Sequence, residues 1–380
     1  MHFIQMMGAN FYSFAGYIVP FLFVLAIVIF IHELGHFLVG RWCGVGVKAF
    51  SLGFGPELIG FTDRQGTRWK LCAIPLGGYV KFLGDANGAS VPDFKTIDAM
   101  SAAERAKSFV AKPVYQRAAI VVAGPVANFL LSIVIFAVVF MIFGRVLHEP
   151  VIGGVQAGGA AERAGFQAGD RIVKINQDQI TSFEGVQRIV LSSANQALTV
   201  TVQRGDQPLT LVATPEAKEI TSAFGKHRAG ILGVRASDDA SYVHYETFGP
   251  GQALVMGAQE CWFIIDRTLS YIGGVFTGRE SADQISGLPR IAQVSGEAAK
   301  MGLGALFSLA AVLSVSIGLV NLFPVPLLDG GHLMFYAIEA LVGRPLSERT
   351  QEIGFRIGFA LVLMLMLFAT WNDIVHLTTS

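Results

Sequence analysis

The chain has 380 residues, 52% of them hydrophobic and only 15% charged. Soluble domains carry about 25% charged residues, so this balance argues against an ordinary water-soluble enzyme and for membrane-spanning segments. Basic and acidic residues cancel at 28 each, which leaves no electrostatic reason to expect a nucleic-acid partner. Cys43, Cys72 and Cys261 are too few and too scattered for a disulfide framework or a Cys-rich metal site.

The first apolar run, about Tyr17 to Val39, has the roughly twenty residues a spanning helix needs. No Lys or Arg occurs in the first sixteen residues and no small-residue cleavage site follows, so residues 1–40 are expected to be a retained span rather than a signal peptide. Inside it lies His32-Glu33-Leu34-Gly35-His36. Residues four apart share one face of a helix, so His32 and His36 can reach one ion, with Glu33 beside it as a general base. Such matches also arise by chance in solvated helices. Near a bilayer centre, however, each ionisable group costs about 2.5–3.5 kcal/mol. Three within five residues call for compensation, which a bound metal supplies.

Residues 41–116 form a polar loop. Val45 to Leu83 alternates apolar and polar residues, with turn signals at Gly53–Pro56, Asp63–Gly66 and Gly77–Gly78, and predicts a β-hairpin or small sheet. Asp85 to Ser108 is polar and expected to be mobile, with helical character near Ala99 to Lys107. A second span is predicted over residues 117–144. Residues 150–216 predict a small α/β module: strands at VIGGVQ and DRIVKINQDQI, a helix at FEGVQRIVLSSA, and a hairpin turning at Arg204-Gly205-Asp206. Residues 217–302 read as a polar connector to about 250, followed by an amphipathic helix. In Gln252 to Phe276 apolar residues recur at three- and four-residue steps, while Gln259, Glu260, Asp266 and Arg267 interrupt them. That pattern suits a helix on the membrane surface rather than a fifth span.

Residues 303–380 hold two more spans, about Leu303 to Phe323 and Phe355 to Trp371. Between them runs Asn321-Leu-Phe-Pro324-Val-Pro326-Leu-Leu-Asp329-Gly330-Gly331-His332, whose prolines and glycines break the helix. Irregular backbone at membrane depth must be buried or line a wet cavity. A catalytic zinc takes three protein ligands and keeps a fourth position open; Asp329 is the candidate third ligand, and His332 its rival. The alternative for Asp329 is to cap the following helix. Lys and Arg concentrate in the loops between spans one and two and between spans three and four. These loops are therefore expected to be cytoplasmic, and the segment from Arg145 to about Gly302 external.

HELGH in the first span, LDGG after the third and a module between them resemble the site-2 protease family of intramembrane zinc proteases, close to its bacterial regulator of sigma-E protease branch. IPLGGYVK (Ile74 to Lys81) and AGPVANF (Ala123 to Phe129) agree. Within residues 150–216, GGAAERAGFQAGDRIVKINQDQI resembles the core of a PDZ domain, a class that binds extended peptides by strand addition. The alternative for this module is a spacer. The best-known members of the branch carry two PDZ domains, whereas one is legible here.

The resemblance implies a polytopic α-helical membrane protein with four transmembrane helices, a cytoplasmic-side membrane-associated β-sheet at Val45 to Lys81, and one periplasmic PDZ domain. It places the chain in the bacterial inner membrane. It implies one Zn2+ per chain on His32, His36 and Asp329, with Glu33 catalytic. The substrate it implies is a single-span membrane protein, such as an anti-sigma factor, already trimmed outside. The PDZ domain would then filter by size or read a new peptide C-terminus. Asn128 and Asn321, amides within apolar spans, would clamp substrate backbone; the alternative is hydrogen bonding between helices. Remnant signal peptides or tethered pro-proteins are alternative substrates, and a non-catalytic membrane PDZ scaffold is the alternative of another class.

Overall fold

The structure, a computed structural model, describes residues 2–86, 93–222, 225–278, 282 and 286–379. The chain divides into two compact units, residues 1–139, 251–269 and 286–380, and residues 140–250 and 270–285.

The first unit is built on long apolar helices. They are α1 (His2–Trp42), α4 (Val114–Ile142), α9 (Leu303–Asn321) and α11 (Glu348–Thr379). Each contains a stretch long and apolar enough to cross a membrane, four in all among the described residues. Two shorter helices, α2 (Phe94–Asp98) and α3 (Ala102–Arg105), follow the sheet described next. Ser101 and Glu104 cap α3 reciprocally. Residues 87–92, part of the segment expected to be mobile, lie outside the described residues.

Strands β1 (Val47–Thr62) and β2 (Arg68–Phe82) form an antiparallel hairpin. Its turn is set by Asp63, whose carboxylate accepts from the backbone N–H of Gln65 and Thr67, both at 2.9 Å. The hairpin is folded over on itself. Phe50 lies beside Val80 and also beside Trp69, and Leu52 beside both Gly78 and Leu71. Gly53, Gly55 and Gly77 take positive φ at the folds, a conformation glycine adopts without steric cost. The turn signals at Gly53–Pro56 and Gly77–Gly78 are therefore bends within two long strands. Phe50, Val80 and Phe82 pack with Phe37 of α1 and with Ile120 and Val121 of α4.

Helix α8 (Leu288–Met301) buries Ala292, Ser295, Gly296 and Ala298. A Cβ at Gly296 would overlap Tyr17 of α1, so the two helices meet at van der Waals contact. Helix α7 (Pro250–Phe276) covers the stretch expected to be an amphipathic helix and buries Ala253, Gly257 and Cys261. Helix α10 (Asp329–Val342) carries the LDGG glycines.

The second unit holds β3 (Arg145–His148), β4 (Ile152–Val155), α5 (Ala160–Arg163), β5 (Arg171–Ile175), β6 (Asp178–Gln179), α6 (Phe183–Ser192), β7 (Leu198–Arg204) and β8 (Gln207–Ala213). Residues 217–250, expected to be a connector, are a correction: they contain β10 (Gly225–Ile231), β11 (Val234–Ala236) and β12 (Val243–Glu246), and β9 (Glu216–Ser222) begins at their border. The largest sheet runs β6-β5-β7-β8; β9 pairs with β10, β11 with β4, and β12 with β3. Leu232, from the supposed connector, is buried in one cluster with Ile172, Val186, Val200 and Val202. The module therefore extends past residue 216, and its later strands are hard to read because they are short and largely polar.

Asp170 is buried, and its carboxylate accepts a fork from Arg204 at 2.7 and 2.8 Å and the Gln167 N–H at 2.9 Å. Burial works to raise its pKa, but these donors outweigh burial and hold the carboxyl below its ordinary range. A carboxylate whose folded pKa lies below its unfolded value of about 3.9 contributes its full stability above that value. The contribution is lost as pH falls through the folded value. Arg204→Ala leaves Asp170 with a backbone partner only and is expected to destabilise the module at neutral pH. Amide exchange of β5 and β7 in the full chain should accelerate at pH 7, and the difference from wild type should shrink as pH drops below 4.

Candidate metal centre

Helical spacing on α1 sets His32 and His36 on one face, and Glu33, 9% exposed, beside them. Asp329 comes from the loop that ends α9 and opens α10. Leu327 takes φ +98°, a strained conformation for a side-chain-bearing residue. A Cβ at Gly330 would overlap the carbonyls of Leu322 and Phe323, and one at Gly331 that of Val325. The glycine pair thus lets the loop fold back on its own helix, which aims Asp329 at α1. Capping does not compete, because Leu328 stands at the N-cap of α10 and no side-chain cap bond forms there.

Asp329 Oδ2 lies 3.2 Å from His32 Nε2 and 3.5 Å from His36 Nε2, and the two Nε2 atoms are 3.3 Å apart. Donors at about 2.0–2.1 Å from a tetrahedral zinc stand about 3.3 Å from one another. The three atoms therefore have the spacing zinc requires. Their chemistry agrees: two imidazole nitrogens and a carboxylate oxygen converge in a mostly buried place, and Asp329 Oδ2 has no hydrogen-bond partner. His36 Nδ1 donates to the Ile120 carbonyl of α4 at 2.8 Å, which leaves Nε2 with its lone pair facing the centre. Among the described residues, this trio is the group that could hold a metal.

A cavity of about 600 Å³ opens beside the trio. Glu33, Asn321, His332 and the Leu76–Val80 stretch of β2 line it. Gly78 faces Glu33 so closely that a Cβ there would stand 2.9 Å from Glu33 Cγ. Asn321 Nδ2 lies 3.4 Å from His32 Nε2, on the cavity side. His332 is near the trio without joining it; its ring packs 5.4 Å from that of Phe355. Asn128 is 0% exposed, and its amide lies 3.3 Å from His32 Nδ1, a contact between helices of the kind expected as the alternative to a clamp on substrate.

Residues 20–365 match Peptidase family M50. The chain belongs to this peptidase family. Among its relatives is a protein of Agrobacterium fabrum provisionally named a zinc metalloprotease, 51% identical over 94% of this chain and 96% of that one. A protein of Rhizobium meliloti with the same kind of name is 50% identical over the same shares. Metalloprotease MmpA of Caulobacter vibrioides is 41% identical over 94% of this chain and 95% of its own. The M50 chain is a zinc metalloprotease with zinc as its cofactor, and its four apolar helices make it a multi-pass membrane protein.

Two further packing features support the M50 centre. A Cβ at Gly35 would overlap the Ala123 carbonyl, and one at Gly124 would overlap His36 Nε2. Arg117 of α4 donates to Glu339 of α10 and stacks 4.8 Å over the Tyr336 ring, tying the helix that begins at Asp329 to the helix that orients His36. Both partners are mostly buried, at 11% and 14% side-chain exposure. Arg117→Ala leaves Glu339 unpaired and is expected to cost about 3–5 kcal/mol, read as a lower melting temperature of the purified protein, with Glu339→Gln in the same background recovering part of the loss.

Proposed function

We propose that this chain is an intramembrane protease that cuts single-span membrane proteins of the anti-sigma-factor type after a first cleavage outside the membrane. The reading rests on one observation: His32, His36 and Asp329 converge at tetrahedral zinc spacing beside a cavity flanked by a strand. In this reading the three residues hold the zinc. When bound, zinc supplies Lewis acidity toward water and the scissile carbonyl. Glu33 takes a proton from the attacking water and passes it to the leaving amine. The Leu76–Val80 stretch of β2, on the cavity wall, offers backbone to an unwound, extended substrate. Asn321 orients the substrate carbonyl from the cavity wall.

The loops rich in Lys and Arg would lie in the cytoplasm and the second unit in the periplasm. That unit acts as a PDZ-type module. A groove of about 630 Å³ runs between α6 and the Gly230–Arg235 segment. There β11, paired on one side with β4, can receive an extended peptide such as a freshly cut C-terminus. The test is proteomics of membrane fragments in cells carrying Glu33→Gln. Single-span stubs already cut outside should accumulate. Accumulation of signal-peptide remnants instead, or of nothing, overturns the assignment of substrate.

A further inference from the structure

His32 presents Nε2 to Asp329 Oδ2 at 3.2 Å and to His36 Nε2 at 3.3 Å. If that nitrogen is to carry a lone pair toward a metal, the ring proton must sit on Nδ1. A buried Nδ1–H needs an acceptor. For His36 the acceptor is the Ile120 carbonyl. For His32 the neighbouring polar group is the Asn128 carboxamide, with Nδ2 at 3.3 Å. In that orientation two N–H groups face each other, while Asn128 Oδ1 sits in the interior without a partner. Rotating the carboxamide by a half-turn exchanges the two atoms at almost no change in shape. Oδ1 then accepts from His32.

We propose that Asn128 is a positioning residue for zinc, its carboxamide oxygen accepting the Nδ1–H of His32 and so fixing that imidazole with Nε2 bare toward the metal. Asn128 is fully buried, which suits this work and no contact with substrate. It is also held firmly. Ser314 of α9 donates its hydroxyl to the Asn128 backbone carbonyl at 2.8 Å, and a Cβ at Gly318 would stand 3.1 Å from the Asn128 Cβ. Helix α9 thus backs the residue that orients His32, and the same helix leads into the loop bearing Asp329.

This inference rests on His32, His36 and Asp329 being the ligands, so the experiment carries a control for that reading. Zinc affinity of the purified full-length protein is measured by chelator competition for wild type, Asn128→Leu, Asn128→Asp and His36→Ala. Loss of an outer acceptor typically lowers metal affinity about 10–100-fold, and Asn128→Leu should fall in that range. Asn128→Asp keeps an acceptor oxygen and should stay within a few-fold of wild type. With zinc at saturation, the leucine variant should keep its KM. Equal zinc affinity in the leucine and aspartate variants overturns the proposal, because a residue that merely fills space would not discriminate between them. Should Asn128→Leu fail to fold, Asn128→Ala takes its place under the same criterion. If His36→Ala binds zinc as tightly as wild type, the ligand set itself is wrong. If His36→Ala loses zinc while every Asn128 variant keeps it, only the role of Asn128 falls.

Discussion

Glu33→Gln is expected to bind zinc like the wild type and to cleave at least 100-fold more slowly. Glu33 stands between the two histidines in sequence and faces the cavity, but it is not one of the three converging donors. Glutamine has nearly the same volume and can still hydrogen-bond, so the packing against Gly78 survives. It cannot take a proton from water. General acid–base groups contribute about 10²–10⁴-fold to rate, and one that moves a proton in both directions should lie near the upper end. The check is zinc content by elemental analysis alongside cleavage of a single-span reporter in proteoliposomes. The drop should fall on kcat, with KM little changed, since the interaction is made in the transition state. Cleavage at the wild-type rate would remove Glu33 from the chemistry.

Gly124→Ala is expected to empty the metal site although it changes no ligand. Its new methyl would overlap His36 Nε2, the atom that faces Asp329, and would press on His32 Cε1 at 2.9 Å. Relief requires moving α4 away from α1, and the Ala123 carbonyl packed onto Gly35 moves with it. That displacement also pulls Ile120 from His36. Overpacking alone costs about 1–3 kcal/mol; the larger effect is on zinc, whose donors must hold their mutual spacing. Gly35→Ala should behave alike. Gly16→Ala, on the same α1 helix but with open space around it, is the control and should be indistinguishable from wild type. Retained zinc and activity in Gly124→Ala would mean that α1 and α4 are not so closely apposed.

The residues that carry this site differ in how much of their role could be read in advance. His32, Glu33 and His36 were legible because helical spacing is local and the apolar surroundings made three ionisable groups improbable without a partner. Asp329 was legible as a candidate, since prolines and glycines mark broken helix. Its approach to α1 was not, because it depends on the strained backbone at Leu327 and on carbonyls packed against Gly330 and Gly331. Asn128 looked like any amide in a span; only the distance to His32 separates an inner orienting group from a substrate contact. Turn signals marked the bends of β1 and β2, but the double pairing of Phe50 with Val80 and Trp69 is a long-range fact. Helix α8 was missed because its buried face is made of Ala, Ser and Gly, which leave little hydrophobic periodicity. Strands β9 to β12 were missed for a related reason, since short polar strands alternate weakly.

The distance along the chain between the donors has a consequence for biosynthesis. His32 and His36 leave the ribosome early, while Asp329 follows 297 residues after His32 (329 minus 32). At about 5–20 residues per second, that gap lasts roughly 15–60 s. Until it closes, a nascent chain has only two of the three donors that converge in the folded protein, and the stretch that orients the third has not been made. A hydrolase assembled in this order stays inert through most of its own synthesis and acquires its competence only once its own last helices are in place.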